Sequence, residues 1–337
     1  MIKIAIDAMG GDFAPKEQIE GSYQALKNHD DIEITLFGEK KIMEPYLKED
    51  HPRLKFIETE GVISMGEKDP IGAIRSNRKS SMAMALKSVK DNTHDAVVSS
   101  GATQALIAGA HIIIGRMKGI KRTAIAPVLP TVVVGKPFIL IDSGANVEIK
   151  AEFMVQQAYF ATVYAKEVLG VEDPQVGLIN IGTEEGKGRS LDIEAAEALK
   201  AHPAIHFYGN VEPKDVLNPP TTILLSDGFT ANIVMKTIEG SARGFGTILK
   251  EELSKGFFGK LGLLLSIRNL KAFKKRLSPE EIGGAMIYGL DGVLVKAQGS
   301  SKANGFYNAI RQARKIVHQD VLGKVKSIIE ASTHEDA

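Results

Sequence analysis

The chain has 337 residues, of which 44% are hydrophobic and 25% are charged, a balance typical of globular proteins and not of disordered or membrane-spanning ones. Lysine and arginine number 42 against 41 acidic residues, so the overall charge does not favour nucleic acid, and we expect no nucleic-acid partner. The absence of cysteine excludes disulfides, thiolate metal sites and a cysteine nucleophile.

Five short apolar runs recur along the chain, each followed by a polar loop and then by a helix-like pattern. In chain order they read KIAIDAMGGD, DAVVSSGAT, FILIDSGAN, VGLINIGTEEGKG and TILLSDGFTAN. Runs rich in Ile, Val and Leu without alternation are typical of parallel strands covered by helices on both faces. The sequence therefore predicts an α/β fold, three layers thick, with a mostly parallel sheet.

The polar loops are the predicted site. Ligands of an open α/β sheet bind beyond the carboxyl ends of its strands, so we expect the five loops to meet at one edge. Each loop alone has a simpler explanation, because glycine and asparagine close strand-to-helix turns of any kind. We predict a single two-lobed domain over residues 1–333, followed by a frayed tail at 334–337.

The loop SSGATQAL follows a predicted strand and opens a helix, so its amides, its hydroxyls and the helix dipole could hold one phosphate; simple helix capping is the alternative. The aspartates of DAMGGD and DSGAN lie beside glycines that permit close backbone approach, and could orient a donor or cap a helix. The predicted substrate- and phosphate-binding residues are Asp7, Gly10, Gly11, Asp12, Ser99, Ser100, Gly101, Thr103, Asp142, Asn146 and Asp227.

The loop GTEEGKG places Lys187 between two glycines, just after Glu184 and Glu185. It is not a P-loop, because three residues separate its first two glycines and neither Ser nor Thr follows the lysine. Lys187 could bring a charge to a phosphate or an oxyanion, or could be a solvated lysine paired with one of the glutamates. In SDGFTAN, Asn232 could donate to an oxyanion or bond to the helix backbone.

Two segments are basic. IRSNRKSS carries Arg75, Arg78 and Lys79 at helical spacing, which predicts a basic face if the segment is helical. A basic amphipathic helical segment is predicted at 250–277, where KGFFGKLGLLLSIRNLKAFKKR contains seven basic residues and no acidic one. Such a segment could lie on an anionic membrane, bind an acidic protein, or pack in the core or at a subunit interface. Its predicted membrane-facing residues are Phe257, Phe258, Leu261, Leu264 and Leu265.

Other catalytic patterns are missing from the sequence. The eight histidines are scattered and no GxSxG motif occurs, so we predict neither a metal site nor a serine triad. No GxGxxG follows a strand, which removes the main support for a dehydrogenase. The amino terminus reaches an aspartate too early for the apolar core of a secretory signal, and we expect a cytoplasmic protein.

Together the motifs resemble the bacterial phosphate acyltransferase family, PlsX. DAMGGD, MGEKDP with RSNRKSS, SSGATQAL, DSGANVE, NIGTEEGKG and SDGFTAN occur in this order over nearly the whole chain. The resemblance implies that the protein converts fatty acyl-[acyl carrier protein] and inorganic phosphate into acyl phosphate and free carrier, with no cofactor. It assigns the catalytic positions to Lys187 and Asn232.

The resemblance also implies a fold similar to that of isocitrate dehydrogenase and phosphotransacetylase, a homodimer, and peripheral association with the cell membrane. A downstream acyltransferase would use the product to acylate glycerol 3-phosphate in phospholipid synthesis. Two alternatives remain open: a phosphotransacetylase that acts on acyl-coenzyme A, and a noncatalytic scaffold of lipid synthesis at the membrane. In the favoured mechanism phosphate displaces the carrier thiolate directly, because this is the simplest path in a chain with no cysteine and no GxSxG motif.

Overall fold

The computed structural model describes residues 1–48, 50–276 and 281–335. The strands in this part of the chain are β1 (Ile2–Asp7), β2 (Ile32–Gly38), β3 (Leu54–Glu58), β4 (Ala96–Ser99), β5 (Ala124–Leu129), β6 (Phe138–Ile141), β7 (Gln175–Ile179), β8 (His206–Val211), β9 (Ile223–Leu225), β10 (Ala285–Tyr288) and β11 (Val293–Lys296). The α-helices are α1 (Lys16–Asn28), α2 (Lys40–Met43), α3 (Pro70–Ser76), α4 (Ser81–Lys90), α5 (Thr103–Ile113), α6 (Ala151–Tyr164), α7 (Ser190–Ala201), α8 (Gly228–Leu253), α9 (Gly256–Leu265), α10 (Ile267–Arg276), α11 (Ala303–His318) and α12 (Val321–Glu335).

The eleven described strands form one sheet in the order β3-β2-β1-β4-β11-β10-β5-β6-β9-β7-β8. Three antiparallel pairs interrupt an otherwise parallel arrangement: β10 is antiparallel to both β11 and β5, and β6 is antiparallel to β5. The β5–β6 pair joins a seven-stranded half, from β3 to β5, to a four-stranded half, from β6 to β8.

Helices cover both faces of the sheet. On β1, Ile4 and Ile6 pack on the side of α1 and α11, whereas Ala5 packs on the side of α4 and α5. On β6, Ile139 faces α6 and Leu140 faces α8. Successive residues of a strand point to opposite faces, so strands buried on both sides are apolar at every position. The predicted three-layer, mostly parallel α/β fold is confirmed.

The last long helix before the carboxyl-terminal strands extends beyond the sheet. The first three turns of α8 pack on β6, with Ala231 and Val234 buried. Most of residues 239–253 is exposed, and α9 and α10 follow, with α9 in contact with α8 and α10 in contact with α9. In the part of the chain that the structure describes, no helix is long and apolar enough to cross a membrane.

Two predicted boundaries fall partly outside the described residues. Residue 277, the end of the predicted basic segment, and residues 336–337 of the predicted tail are not described. Residues 334 and 335 belong to α12.

Candidate functional site

Asp7 connects neighbouring elements at the carboxyl ends of the strands in the seven-stranded half. It is the last residue of β1 and is buried; Oδ1 accepts a hydrogen bond from Ser81 Oγ at 2.6 Å, and Oδ2 accepts one from Ser99 Oγ at 2.6 Å. Burial raises the pKa of Asp7, and the two hydroxyl donors partly oppose this rise. Asp7 thereby joins β1 to β4 and α4.

The second serine of SSGATQAL is also engaged internally. Ser100 Oγ donates to Gly10 O at 2.8 Å, and Gln18 Nε2 donates to both Gly10 O and Ser100 Oγ, at 2.7 and 2.9 Å. A Cβ at Gly10 would lie 2.8 Å from the amide nitrogen of Gly101, so glycine is required for the two loops to come this close. In this structure the two serines shape the loop. Gln18, inside α1, was not singled out from the sequence.

The other predicted residues of the seven-stranded half lie in the loops that follow β1 and β4, or at the first residue of the next helix. Asp12 N donates to Gly299 O at 2.9 Å, and Gly11 has a φ of 111°, which favours glycine. Thr103 is half-buried and begins α5, whose N-cap position makes no side-chain hydrogen bond.

Lys296, a residue that the sequence reading missed, ends β11 at the same edge. It is half-buried, and its Nζ donates to Ala297 O at 2.9 Å. Burial, helped by the positive charge of Lys236, lowers the pKa of Lys296 to about 8, and Asp12 opposes this shift. The segment VLVKAQGSS has the same signature as the five predicted runs, an apolar strand followed by small polar residues, and this signal could have found it.

In the four-stranded half, Asp142 closes the DSGAN turn after β6. Its Oδ1 accepts from the amides of Ile125 and Ala145 at 2.9 and 3.0 Å, and its Oδ2 accepts from both nitrogens of Asn146 at 2.7 Å. Burial raises the pKa of Asp142, whereas these donors lower it. Asn146 O in turn accepts from Gly228 N at 2.7 Å, which fixes the start of α8 against the turn.

Asp227 is the N-cap of α8. Its Oδ1 accepts from the amides of Phe229 and Thr230 at 3.0 Å each, and its Oδ2 accepts from Arg189 Nη2. Arg189, which the sequence reading also missed, binds Asp192 as well, at 2.8 Å. Burial alone would raise the pKa of Asp227, but the hydrogen bonds from Arg189 and Thr230 hold that pKa below its usual value.

Lys187 lies two residues before Arg189, so the Arg189–Asp227 pair ties its loop to α8. Asn180 Nδ2 donates to Lys187 O at 2.9 Å and fixes the backbone of the loop. The Lys187 side chain is exposed, and no described carboxylate lies within 4.0 Å of its Nζ. Glu185 is paired with Lys200 instead, at 2.7 Å. The pairing expected of a merely solvated Lys187 is therefore not seen.

Asn232 lies in the second turn of α8 and is half-buried against the DSGAN turn. A Cβ at Gly144, where φ is 129°, would lie 2.9 Å from Asn232 Nδ2, so glycine is required beside this amide. Asn232 Oδ1 is buried and has no hydrogen-bond partner among the described residues. A buried amide oxygen without a protein partner can accept a hydrogen bond from a water or from a donor group of a ligand.

The structure divides the predicted residues into two groups. Because β6 is antiparallel to β5, the carboxyl ends of β6, β7 and β9 lie at the sheet edge opposite to those of β1 and β4. The expectation that all five loops share one edge is therefore wrong. The helix α8 begins in the second group and packs back along β6, in contact with Leu129 at the end of β5.

The basic face expected if IRSNRKSS were helical does not form, because the segment is helical only in part. Helix α3 ends at Ser76, so Arg78 and Lys79 lie in the turn that follows. Arg75 and Arg78 are exposed, and Lys79 pairs with Glu60 at 2.9 Å.

The predicted basic segment is helical and exposes its apolar side chains. No residue of α9 is buried. The exposed fractions are 76% for Phe257, 85% for Phe258, 45% for Leu261, 65% for Leu264 and 77% for Leu265. Packing of these side chains in the core of the chain is thus excluded, and the membrane-facing role stays a prediction.

A protein family and several known proteins are similar to this chain over nearly its whole length. A family described as "Fatty acid synthesis protein" matches residues 2–324. The "Phosphate acyltransferase" of Acholeplasma laidlawii is 56% identical over 332 residues, 98% of each chain. That of Listeria monocytogenes serotype 4a is 41% identical over 329 residues, covering 98% of this chain and 97% of the relative.

Solved structures share the fold. A phosphotransacetylase from Streptococcus pyogenes superposes with a TM-score of 0.60 at 16% identity, covering 94% of both chains. A branched-chain phosphotransacylase from Enterococcus faecalis V583 gives 0.57 at 14% identity, covering 94% of this chain and all of the other. The predicted likeness to the phosphotransacetylase fold is confirmed.

Proposed function

The chain belongs to the phosphate acyltransferase family, and we propose that it transfers a fatty acyl group from acyl carrier protein to inorganic phosphate. The products are acyl phosphate and free carrier. The observation that carries this proposal is the arrangement of Lys187 and Asn232 around the start of α8. Both keep polar groups free of described partners, while the aspartates and Arg189 around them are hydrogen-bonded within the protein.

The reaction is a direct displacement. A phosphate oxygen forms a bond to the thioester carbonyl carbon, the C–S bond breaks, and its electron pair leaves with sulfur as a thiolate that takes a proton from solvent. Lys187 supplies positive charge to the developing oxyanion or to phosphate, and Asn232 Nδ2 donates to the carbonyl oxygen. The protein's contribution is to position the reactants and stabilise charge, since phosphate is itself a nucleophile.

The partners follow from the same proposal. The carrier protein is acidic, and the exposed Arg75, in the last turn of α3, and Arg78, in the turn that follows, form part of the surface that meets it. We expect a homodimer, for which the exposed Phe245 and Ile248 of α8 offer apolar surface. The exposed face of α9 contacts the cytoplasmic side of the cell membrane, where a downstream acyltransferase receives the acyl phosphate.

The test is phosphate-dependent release of carrier thiol from palmitoyl-acyl carrier protein, with acyl phosphate trapped by hydroxylamine. We expect release that requires phosphate and that fails in Lys187→Ala. Absence of release, in protein that still binds phosphate and vesicles, would instead favour a noncatalytic scaffold of lipid synthesis.

A second arm separates the two acyl donors. Palmitoyl-coenzyme A and palmitoyl-acyl carrier protein are compared at equal concentration. We expect the carrier thioester to react with the higher kcat/KM. A preference for the coenzyme A thioester would instead assign the chain to the phosphotransacetylase activity of its structural neighbours.

A further inference from the structure

Lys296 lies where two loops of the first group meet. It ends β11 in register with Ser99 of β4, so it leaves the sheet beside SSGATQAL. Three residues later, Gly299 O accepts the amide of Asp12, which brings the β11 loop against DAMGGD. Lys296 therefore lies among the loops of the seven-stranded half, and the reaction mechanism described above does not use it.

The Lys296 ammonium group lacks a counter-ion. Its hydrogen bond is to a backbone carbonyl, that of Ala297, and no carboxylate among the described residues lies within 4.0 Å of its Nζ. A half-buried cation that has lost hydration without gaining an anion is unfavourable. An anion bound here would remove that penalty.

A second cation approaches from the other half of the molecule. Lys236 is on α8, and its positive charge acts on Lys296 strongly enough to help lower its pKa. Lys236 is 66% exposed and pairs with Glu239 at 3.1 Å; an ion pair this exposed is weak enough to be exchanged for a pairing with a ligand. It lies four residues after Asn232, on the same helix face and about 6 Å along the axis. The helix α8 thus connects the two groups of predicted residues.

We propose that Lys296 and Lys236 bind the phosphate group of the reaction, with Lys296 as the direct ligand and Lys236 closing over it from α8. A phosphate dianion gives Lys296 the anionic partner that it lacks and offers Lys236 an alternative to Glu239. Along α8, Lys236 lies about one helical turn from Asn232, the residue proposed to bind the carbonyl oxygen. The choice of phosphate as ligand rests on the proposed function.

Direct binding of inorganic phosphate, measured by calorimetry at constant ionic strength without an acyl substrate, tests the site. We expect Lys296→Gln to bind phosphate about 10- to 100-fold more weakly, since a charge-assisted hydrogen bond is lost, and Lys236→Gln to bind it several-fold more weakly. The control is Lys302→Gln, an exposed lysine six residues further on, which should bind as the wild type does. Unchanged affinity in folded Lys296→Gln would overturn the proposal.

The pH dependence of binding separates a direct ligand from a structural residue. Wild-type affinity should fall above about pH 8 as Lys296 loses its proton, with Lys236, Glu239 and Asp12 as the charged groups around it. Lys296→Arg should retain binding and abolish this fall, because the guanidinium stays charged. A fall that persists unchanged in Lys296→Arg would overturn the assignment to Lys296.

Kinetics then distinguish the two sources of a phosphate group and the two proposals. We expect the KM for inorganic phosphate to rise in Lys296→Gln while the KM for the acyl carrier stays constant. A rise for the carrier alone would give the site to the phosphate of its prosthetic group and overturn the assignment to inorganic phosphate. Phosphate binding that requires Lys296, in a protein without acyl transfer, would support the site and refute the proposed function.

Discussion

Among the predicted residues, the buried aspartates and the two catalytic candidates differ in what their polar atoms contact. Asp7, Asp142 and Asp227 are buried, and both carboxylate oxygens of each accept hydrogen bonds from the protein. Lys187 and Asn232 instead retain groups without described partners. We infer that the aspartates act by positioning loops, and that substrate contacts fall to the lysine and the asparagine.

We predict that Asn232→Ala lowers kcat about 100- to 1,000-fold, the usual effect of removing one oxyanion donor, and that Lys187→Ala lowers it at least as much. The measurement is phosphate-dependent thiol release under saturating substrates. Lys200→Ala is the matched control, because it removes an exposed lysine paired with Glu185 of the same loop, and we expect near wild-type turnover. Turnover near the wild-type level in Asn232→Ala would remove it from the site.

The N-cap of α8 gives a stability prediction with a defined pH dependence. Asp227→Asn should lower the free energy of unfolding by about 1 to 3 kcal/mol, because it removes the charge that binds Arg189 within a buried cap. The folded pKa of Asp227 is below its usual value, so this contribution is present above about pH 4 and disappears as pH falls through the folded pKa.

Urea unfolding at pH 7 and at successively lower pH measures this difference. The control is Asp69→Asn, at the exposed N-cap of α3, where asparagine is as good a cap and no ion pair is lost. A difference between wild type and Asp227→Asn that stays constant down to the acid transition would contradict the assigned charge effect.

Among the elements, α8 has the most varied role. Its first turns carry Asp227, Asn232 and Lys236, and its middle leaves the sheet and leads into α9 and α10. Helix α8 ends at Leu253, and α9 begins at Gly256 and contacts α8, so the site and the exposed apolar segment belong to consecutive helices. A single helix, α8, therefore connects the site where the acyl product would form to α9, the surface proposed to contact lipid.

We predict that Phe258→Glu together with Leu264→Glu releases the protein from anionic vesicles and leaves acyl transfer in solution unchanged. Both side chains are mostly exposed in α9, and each glutamate adds a negative charge to an apolar surface. Vesicle sedimentation measures binding. Val134→Glu, a residue 73% exposed in the β5–β6 loop, is the control and should sediment as the wild type does. Sedimentation of the double variant with the vesicles would favour a protein interface for α9.

Across the whole molecule, the carboxyl-terminal part of the chain packs into the seven-stranded half of the sheet, which the amino-terminal part begins. Strands β10 and β11 lie between β4 and β5, and α11 packs on α1 and β11. Arg314 of α11 also binds Asp31, just before β2, at 2.7 Å and keeps the pKa of that carboxyl below its usual value. The carboxyl-terminal strands are therefore needed to close the seven-stranded half.

We predict that a chain ending at residue 280 does not unfold cooperatively, because β4 and β5 would then expose strand edges and apolar faces that are buried in the full chain. A chain ending at residue 333, without the predicted tail, should keep the wild-type unfolding midpoint. Circular dichroism during thermal unfolding measures both. A loss of stability on removal of residues 334–337 would show that they contribute to the fold.

The sequence predicted the site residues that a local pattern marks, and it missed residues whose partners are far away along the chain. Each strand-to-loop junction is a local pattern, and residues such as Asp142 and Asp227 were found because glycine and a strand end lie beside them. Arg189 and Gln18 were missed, since the partners that join them to other loops, Asp227 and Ser100, lie 38 and 82 residues away and no local pattern marks such pairs. Lys296 was missed although its strand-to-loop pattern was visible.

The sequence by itself determined the α/β class, the covered sheet and the family, because periodicity and motifs are properties of short stretches of chain. Only the tertiary structure decided that the loops form two groups and not one. Strand direction depends on pairing between distant segments, and the antiparallel β5–β6 pair turns the second set of carboxyl ends to the opposite edge. The structure likewise decided that α8, which begins in the second group, packs back along β6 as far as Leu129 at the end of β5.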